Sequence, residues 1–270
     1  MCWSGLLLKT ARAPAAAGAD ARAGRKTTLF RQNDGGAAFE MGQFQKQNAL
    51  GEENMLHVEL RPEQPTDCRE TESVTRAAFW NRYVPGCNEH YLVHVMRHSP
   101  DFVPGLDVVA VHNGAIVGHV AYAKALIRGD DGKDREVLTL GPISVLPEHQ
   151  RQGVGGALIE HTARLARDMG FRAVLLCGDP AYYGRRGFVP AESFGIRTAD
   201  DMYAAALQVR ELRENALVGV AGRYIESSLY EIDESAAAEF DATFPPREKI
   251  SGTPSQKRFE QLVALRRSAD

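Results

Sequence analysis

A short glycine cluster carries the clearest chemical signal in the sequence. Residues 147–161 read PEHQRQGVGGALIEH, in which Gly153, Gly155 and Gly156 stand between a polar turn and an apolar run. Glycine destabilises regular structure unless the backbone needs its freedom, so the cluster predicts a tight turn that leads into a helix. The N–H groups and the dipole at the start of a helix attract anions. We therefore expect a phosphate group to bind at this turn.

Two common phosphate-binding motifs do not fit the cluster. A P-loop needs Lys followed by Ser or Thr after its last glycine, and Ala157 and Leu158 stand there instead. A dinucleotide-binding turn needs G-x-G-x-x-G, and Leu158 occupies the place of its third glycine. The turn therefore belongs to another kind of anion site.

The segments around the turn predict an α/β fold, with a mixed sheet and helices on its faces. Gly141-Pro142 interrupts an apolar strand over 137–146, and because proline cannot donate to a strand ladder, we expect a bulge there. Asn113-Gly114 predicts a hairpin turn between two apolar runs. Hydrophobic periodicity predicts strands over 57–61, 171–177 and 202–212, and helices over 67–80, 89–98, 154–169 and 256–266. The apolar face of the 154–169 helix is predicted to carry Val154, Leu158, Leu165 and Met169.

The turn and its surroundings resemble the GCN5-related N-acetyltransferases, the GNAT family. Residues 150–155, QRQGVG, are similar to the Q/R-x-x-G-x-G/A pyrophosphate loop of that family, in which a bulged strand precedes the loop and a long helix follows it. The family also carries a tyrosine four residues before a Gly-Phe pair, as Tyr183 stands before Gly187-Phe188. The resemblance covers about residues 57–212 and looks closest to a branch of predicted bacterial acetyltransferases with a GDPAYYGR-GF motif. It implies a mostly antiparallel mixed sheet whose fourth and fifth strands splay apart.

The resemblance implies that acetyl-CoA is the cosubstrate and that no metal takes part. The pyrophosphate is expected on the loop, and the pantetheine arm is expected to pair with the backbone of the bulged strand, like an added strand. The implied binding residues are Ile143, Ser144, Val145, Gln150, Arg151, Gln152, Gly153, Val154, Gly155 and Gly156.

The implied reaction is direct attack of a primary amine on the thioester. Tyr183 is expected to donate a proton to the departing thiolate, and Tyr182 is expected to pack rather than to react. A base must deprotonate the amine. Thr139 falls where some relatives carry a carboxylate, which leaves Glu89, His90, Glu136 and Asp179 as candidates. Glu89 and His90 lie in the segment that lines the acceptor groove in this family, and Glu89 is the preferred candidate. Cys177 is expected to be structural.

The bulk properties limit the partners. The net charge of −3 favours neither nucleic acid nor a membrane, and the spacing of the four cysteines suits a reducing cytoplasm. We expect a small-molecule or peptide amine as acceptor and a monomer or homodimer. The alternative function is a non-catalytic, acetyl-CoA-binding regulatory domain. The predicted organisation is an N-terminal extension over 1–54, disordered or the result of a start site placed too early, a GNAT domain over 55–212, and a C-terminal extension over 213–270.

Overall fold

A nine-stranded mixed sheet forms the centre of the described part of the chain. The computed structural model describes residues 55–269, and the predicted extension over 1–54 lies outside them. The helices are α1 (Cys68–Phe79), α2 (Glu89–Met96), α3 (Val154–Asp168), α4 (Pro180–Tyr183), α5 (Glu234–Asp241) and α6 (Pro254–Ala264). The strands are β1 (Glu59–Pro62), β2 (Val108–His112), β3 (Ala115–Gly129), β4 (Asp134–Val145), β5 (Ala173–Cys177), β6 (Val189–Pro190), β7 (Ile196–Arg197), β8 (Met202–Ala204), β9 (Leu207–Glu211), β10 (Gly222–Ile225) and β11 (Arg266–Ser268).

The strand order confirms the predicted mixed, mostly antiparallel sheet. It runs β1-β2-β3-β4-β5-β9-β6, with β10 paired to β3 and β7, while β8 and β11 form a separate pair. Two pairings, β4 with β5 and β7 with β10, are parallel. The hairpin between β2 and β3 turns through Asn113 and Gly114, both at positive φ, as such a turn requires. The segment predicted as one strand over 202–212 divides into β8 and β9.

The predicted bulge lies at Gly141-Pro142 and opens the sheet. Val120 of β3 faces Ile143 of β4 and Tyr122 faces Leu140, so β4 carries one extra residue at this point. The pairing of β4 with β5 is confined to Leu138 and Thr139. Beyond Thr139 the two strands separate, which leaves one edge of β4 without a neighbouring strand and creates the cleft that holds the site.

Helices cover both faces of the sheet around this cleft. On one face Leu158 of α3 packs in a core cluster with Val120 and Tyr122 of β3, and on the other Leu92 of α2 packs with Ala121. Alternate residues of one strand point to opposite faces, so α2 and α3 sandwich β3. The predicted apolar face of α3 was partly wrong: Met169 follows the helix and is 51 % exposed, while the buried face includes Ile159, Thr162 and Ala166.

The C-terminal residues contribute directly to this architecture. Strand β10 pairs with residues 126–129 of β3 and so lies within the main sheet, although it belongs to the segment predicted as an extension. Helix α5 packs on α2 through Phe240, whose ring centroid lies 4.4 Å from that of His94. Among the residues described, no helix is long and apolar enough to span a bilayer.

Candidate active site

The glycine turn forms the start of α3, as the sequence predicts. Arg151 and Gly153 both adopt positive φ, of 63° and 85°, and Gly153 is the N-cap residue. The first helical hydrogen bond runs from Ala157 N to Gly153 O over 2.9 Å. The N–H groups of residues 154–156 precede it and point out of the helix start, where the dipole is positive. The turn is thus built to bind an anion.

Another segment lies directly against two of the glycines. A Cβ atom on Gly155 would lie 2.7 Å from Tyr182 Oη, and one on Gly156 would lie 2.7 Å from Arg186 Cζ. Tyr182 is 42 % exposed, and its hydroxyl lies at the glycine turn. The polar end of Tyr182 thus lies beside the glycine turn, and the expectation that Tyr182 packs rather than reacts stays a prediction.

A cleft of about 330 Å³ extends from this turn along the open edge of β4. Three of its lining residues, Arg82, Arg151 and Arg186, are arginines, which favour an anionic ligand. The complete lining comprises Ala78, Phe79, Arg82, Tyr83, Ile143, Val145, His149, Gln150, Arg151, Gly153, Gly155, Gly156, Asp179, Tyr182, Tyr183 and Arg186.

The open edge of β4 presents Ile143 and Val145 to the cleft but not Ser144. Consecutive residues of a strand direct their N–H and C=O groups to opposite edges. Leu146 N donates to Val117 O of β3 over 2.9 Å, so Ser144, two residues earlier, also faces β3. The Ser144 side chain is buried beside Thr75, with the two hydroxyl oxygens 3.1 Å apart. The expectation that Ser144 offers its backbone to a ligand was therefore wrong.

The remaining loop residues have separate local tasks. Gln150 Nε2 donates to Val145 O over 3.0 Å and so links the turn to the open strand edge. Gln152 Nε2 donates to Glu148 O over 2.7 Å and stabilises the turn itself. Val154 places its side chain in the core under the sheet. Neither Gln152 nor Val154 lines the cleft with its side chain.

A second, smaller cavity of about 70 Å³ lies at the bulge of β4. Two carboxylates line it, Glu89 from the start of α2 and Glu226, the residue after β10, so we call it the acidic cavity. It shares Phe79, Tyr83, Ile143 and Tyr183 with the larger cleft, so the two spaces adjoin. Its complete lining is Phe79, Tyr83, Glu89, Leu92, Thr139, Leu140, Gly141, Pro142, Ile143, Cys177, Gly178, Tyr183 and Glu226.

Tyr183 stands at the junction of the two cavities. It ends the short helix α4, whose start is capped by Asp179, the side chain of which accepts from Ala181 N over 3.0 Å. The Tyr183 ring packs edge-on against Phe188, with centroids 5.6 Å apart. A Cβ atom on Gly178 would lie 2.2 Å from the Tyr183 ring, so glycine at 178 is needed for the ring to lie there. The fold thus fixes this tyrosine beside both cavities.

The structure separates the four candidate bases. Glu89, 4 % exposed, lines the acidic cavity. His90 is buried on the opposite side of α2 against Phe240 and Phe244 of the C-terminal region, and burial lowers its pKa to about 4. Glu136 pairs with Lys124 on the exposed side of the sheet.

Asp179 is a structural carboxylate. Burial by itself raises its pKa, but hydrogen bonds from Arg258 and from the N–H of Ala181 outweigh this and leave the pKa below its ordinary value. It therefore stays ionised as the cap of α4. Of the four candidates, Glu89 alone lines the acidic cavity.

The sequence analysis missed four residues that line the site, Arg82, Tyr83, Arg186 and Glu226. Arg186 lies inside the segment 178–188, GDPAYYGRRGF, so its neighbourhood was identified but not its contact with the glycine turn. Arg82 and Tyr83 belong to an irregular segment between two helices. Glu226 lies outside the region of resemblance, and no local pattern marks it. Only the packing of distant segments reveals it.

Comparison with known proteins decides the family. Residues 67–188 match the model of the Acetyltransferase (GNAT) family. A crystal structure of a GNAT family acetyltransferase from Brucella melitensis, in complex with acetyl-CoA, is 30 % identical and superposes with a TM-score of 0.51, over 64 % of this chain and 98 % of that one. The chain belongs to the GNAT family of acetyltransferases. The predicted family and the predicted class of enzyme, an acyltransferase, are thereby confirmed.

Other GNAT proteins show the same likeness. The uncharacterized N-acetyltransferase YhbS of Escherichia coli K12 is 29 % identical over 60 % of this chain and 92 % of its own length. Its crystal structure, in complex with CoA, superposes with a TM-score of 0.58 at 27 % identity, over 66 % of this chain and 93 % of that chain. The uncharacterized N-acetyltransferase YjhQ of the same organism is 34 % identical over 46 % of this chain and 64 % of its own length.

Proposed function

We propose that this GNAT protein moves an acetyl group from acetyl-CoA to a primary amine by direct attack, with both substrates bound together. One observation carries the proposal: an arginine-lined cleft and a cavity lined by carboxylates meet at Tyr183. An anionic cosubstrate and a cationic acceptor can therefore approach each other at one point. The GNAT structures from Brucella melitensis and Escherichia coli, which contain acetyl-CoA and CoA, support this reading of the larger cleft.

The residues of the cleft fit acetyl-CoA by chemistry and by shape. Backbone N–H groups of residues 151–156 would hold the pyrophosphate, which the glycines allow to approach the backbone. Arg82, Arg151 and Arg186 add positive charge to this end. The edge of β4 at Ile143 and Val145 would hold the pantetheine arm by strand-like pairing.

Acetyl-CoA supplies an acetyl group activated as a thioester. Tyr183 is placed to donate to the departing sulfur. A phenol has a pKa of about 10 and a thiol about 8.5, so complete transfer of the proton to the thiolate is uphill by roughly 2 kcal/mol. Tyr183 therefore acts as a hydrogen-bond donor whose bond strengthens as the sulfur gains charge. Such a contact accelerates the reaction because it is stronger in the transition state than in the ground state.

The acidic cavity fits the acceptor end. A primary amine is mostly protonated at neutral pH, and a carboxylate such as Glu89 attracts its ammonium form. The cavity also weighs against a purely regulatory acetyl-CoA-binding domain, since such a domain needs no acidic space beside the leaving-group donor. We also assign the chain to the branch that carries the GDPAYYGR-GF motif, on the strength of residues 178–188. A cytoplasmic location, a metal-free reaction and a monomeric or homodimeric state stay predictions.

Thermal unfolding with candidate ligands, followed by a thiol-release assay, tests the proposal. Acetyl-CoA or CoA should stabilise the protein, by about 2.7 kcal/mol at a hundred times the dissociation constant, whereas NAD and ATP should not. A panel of a lysine peptide, spermidine, glucosamine and a peptide with a free N-terminus should contain an amine that accelerates the release of CoA thiol. Stabilisation without thiol release would favour the regulatory alternative, and stabilisation by NAD alone would refute the proposal.

A further inference from the structure

The acidic cavity is completed by a residue from the C-terminal part of the chain. Glu226 follows β10, and β10 lies in the main sheet beside β3. The residue is half-buried and lines the cavity together with Glu89 and Tyr183. Among the described residues that line this cavity, none is lysine, arginine or histidine. Two carboxylates thus line one small space and can attract a cationic group.

A chain of hydroxyl groups aims the Glu226 carboxylate. Tyr224 Oη donates to Glu226 Oε1 over 3.3 Å and lies 2.5 Å from Thr139 Oγ1 of β4. Because Tyr224 donates to the carboxylate, the Thr139 hydroxyl must donate to Tyr224. Burial raises the pKa of Tyr224, so the phenol keeps its proton and remains a donor. Thr139 cannot itself act as a base, but through Tyr224 it helps to hold the Glu226 carboxylate in place.

Two further contacts fix the segment that carries Glu226. Tyr230 Oη donates to Gly141 O at the bulge over 2.9 Å, and Ser227 Oγ donates to Asp101 Oδ2 over 2.5 Å. One contact reaches β4 and the other reaches the segment before β2. Glu226 is therefore placed by anchored structure and not by a free loop.

The two carboxylates are suited to different tasks. Glu89 is 4 % exposed at the first position of α2, and its carboxylate accepts from Asn88 N over 3.1 Å. Glu89 thus lies at the start of a helix, where the helix dipole attracts negative charge. Glu226 follows a strand, is more exposed than Glu89, and can pass a proton on to water.

We propose that Glu226 takes the proton from the ammonium group of the acceptor, while the Glu89 carboxylate attracts that group into the cavity. The inference rests on the proposed function and assigns the base that the sequence could not identify. A space of about 70 Å³ exceeds the roughly 10–15 Å³ that one water molecule needs in such a cavity. It therefore admits the amino group of an acceptor.

The proton balance of the step is complete. Glu226 accepts one proton from the ammonium nitrogen, which then bonds to the acetyl carbon as the bond from that carbon to sulfur breaks. The nitrogen loses a second proton as the amide forms, and Tyr183 gives one to the sulfur. The nitrogen thus loses two protons in all. One of them replaces the proton that Tyr183 gave to the sulfur, and the other passes from Glu226 to water. One proton is released for each acetyl group transferred.

The test compares Glu226→Gln with Glu226→Asp, with Glu89→Gln, and with Glu231→Gln as a matched control on the exposed surface nearby. Thiol release from acetyl-CoA is followed from pH 6.5 to 9.5 with the four amines named above, and acetyl-CoA binding is measured by calorimetry. Other groups that face Glu226 and titrate are carried by the surrounding elements: Tyr83, Glu89, Cys177, Tyr183 and Tyr224. The pH profile of thiol release in Glu89→Gln shows which part of the parent's pH dependence comes from the Glu89 carboxylate and which part comes from Glu226.

The expected result is a loss of kcat of about a hundredfold or more at pH 7 in Glu226→Gln, with acetyl-CoA affinity within threefold of the parent. With the lysine peptide, whose amine has a pKa of about 10.4, the rate of this variant should rise about tenfold per pH unit up to pH 9, because only amine already deprotonated in solution reacts. Glu226→Asp should recover part of the rate, Glu89→Gln should mainly raise the KM of the amine, and Glu231→Gln should match the parent.

A Glu226→Gln variant with the parental rate or the parental pH profile overturns the inference, as does a kcat loss confined to Glu89→Gln. A parent enzyme that binds acetyl-CoA but acetylates none of the amines also overturns it, because the cavity would then not serve a primary amine. If the parent does not bind acetyl-CoA at all, the proposed function itself fails, which is a distinguishable result.

Discussion

The two ends of the cleft are built in different ways. The larger cleft near the glycine turn, where we propose that acetyl-CoA binds, is the anion end, and the smaller acidic cavity is the acceptor end. The anion end includes two short stretches, 150–156 and 182–186, which contact each other at the glycines. The acceptor end combines residues from α1, α2, β4, β5, α4 and the segment after β10. A site centred on two short stretches can be identified from local patterns, whereas a site made from six segments that are distant in sequence appears only when the chain is folded.

The two ends also differ in charge and in what supports them. Arginines line the anion end and carboxylates line the acceptor end. The anion end is supported by α3, which belongs to the main core. The acceptor end is supported by C-terminal residues: Glu248 O accepts from Trp80 Nε1 over 2.8 Å, and Asn81 Oδ1 accepts from Ile250 N over 3.0 Å. Changes at the two ends should therefore have separable effects.

The largest effect is expected from Gly155→Glu at the anion end. The new side chain would collide with Tyr182 and place a negative charge where the pyrophosphate is expected. We predict that acetyl-CoA no longer stabilises the protein in thermal unfolding, a loss of at least a hundredfold in affinity. Arg164→Glu, which introduces the same residue on the exposed face of α3, should keep the stabilisation. Retained binding in Gly155→Glu would show that acetyl-CoA does not use this turn.

A smaller effect, on turnover alone, is expected from Tyr183→Phe at the junction. The ring and its contact with Phe188 remain, but the proton for the departing sulfur is lost. Turnover should fall by about ten- to a thousandfold, with acetyl-CoA affinity nearly unchanged. Tyr182→Phe should show the reverse pattern, a few-fold loss of affinity with kcat preserved, because its hydroxyl lies at the glycine turn. Parental turnover in Tyr183→Phe would make Tyr183 a packing residue.

Acid should weaken the support of the acceptor end through His90. This buried side chain faces Asp241 of α5 and, on α1, Arg76 and Arg69, and its pKa in the fold is about 4, against about 6.5 in an unfolded chain. Between these two pKa values the unfolded chain binds more protons than the folded protein. The contribution of His90 to the free energy of unfolding is therefore complete above pH 6.5 and is lost as the pH falls towards 4. The change amounts to roughly 3 kcal/mol at most.

Denaturant unfolding between pH 4.5 and 7.5 measures this contribution. His90→Gln should flatten the decline in the free energy of unfolding with falling pH, while His98→Gln, at an exposed position of the same region, should not. The same slope in His90→Gln and in the parent would assign the acid sensitivity to other groups.

The smallest effect is expected from Cys177→Ala. Cys177 ends β5 and lines the acidic cavity, which brings its thiol closer to the site than the sequence suggested. Direct transfer needs no enzyme nucleophile, so turnover should stay within a few-fold of the parent. Ping-pong kinetics, or an acetyl group recovered on Cys177 by mass spectrometry, would contradict direct transfer.

The sequence predicted those parts of the fold that depend on local chemistry. Asn113-Gly114 marked its hairpin because the turn needs positive φ, and Gly141-Pro142 marked the bulge because proline lacks an N–H group. Ser144 was misassigned because a motif locates a strand but not which edge each residue faces. Met169 was misassigned because helical spacing was extended one residue past the end of α3.

The acceptor end could not be predicted for a different reason. Glu226 and Glu89 are 137 positions apart in the sequence, and their proximity depends on β10 joining the sheet beside β3. Neither residue stands in a motif that specifies this pairing. Glu89 was selected from the resemblance to a family, and Glu226 lay beyond the residues that the resemblance covers.

The most direct test of the account is a crystal structure of the protein with CoA bound. We predict pyrophosphate oxygens within hydrogen-bond distance of the N–H groups of residues 151–156, the pantetheine arm paired with Ile143 and Val145, and the sulfur beside Tyr183. The sulfur should then point towards the cavity that contains Glu89 and Glu226. CoA bound elsewhere, or in this cleft with its sulfur directed away from Tyr183, would contradict the claim that the two ends meet to form one active site.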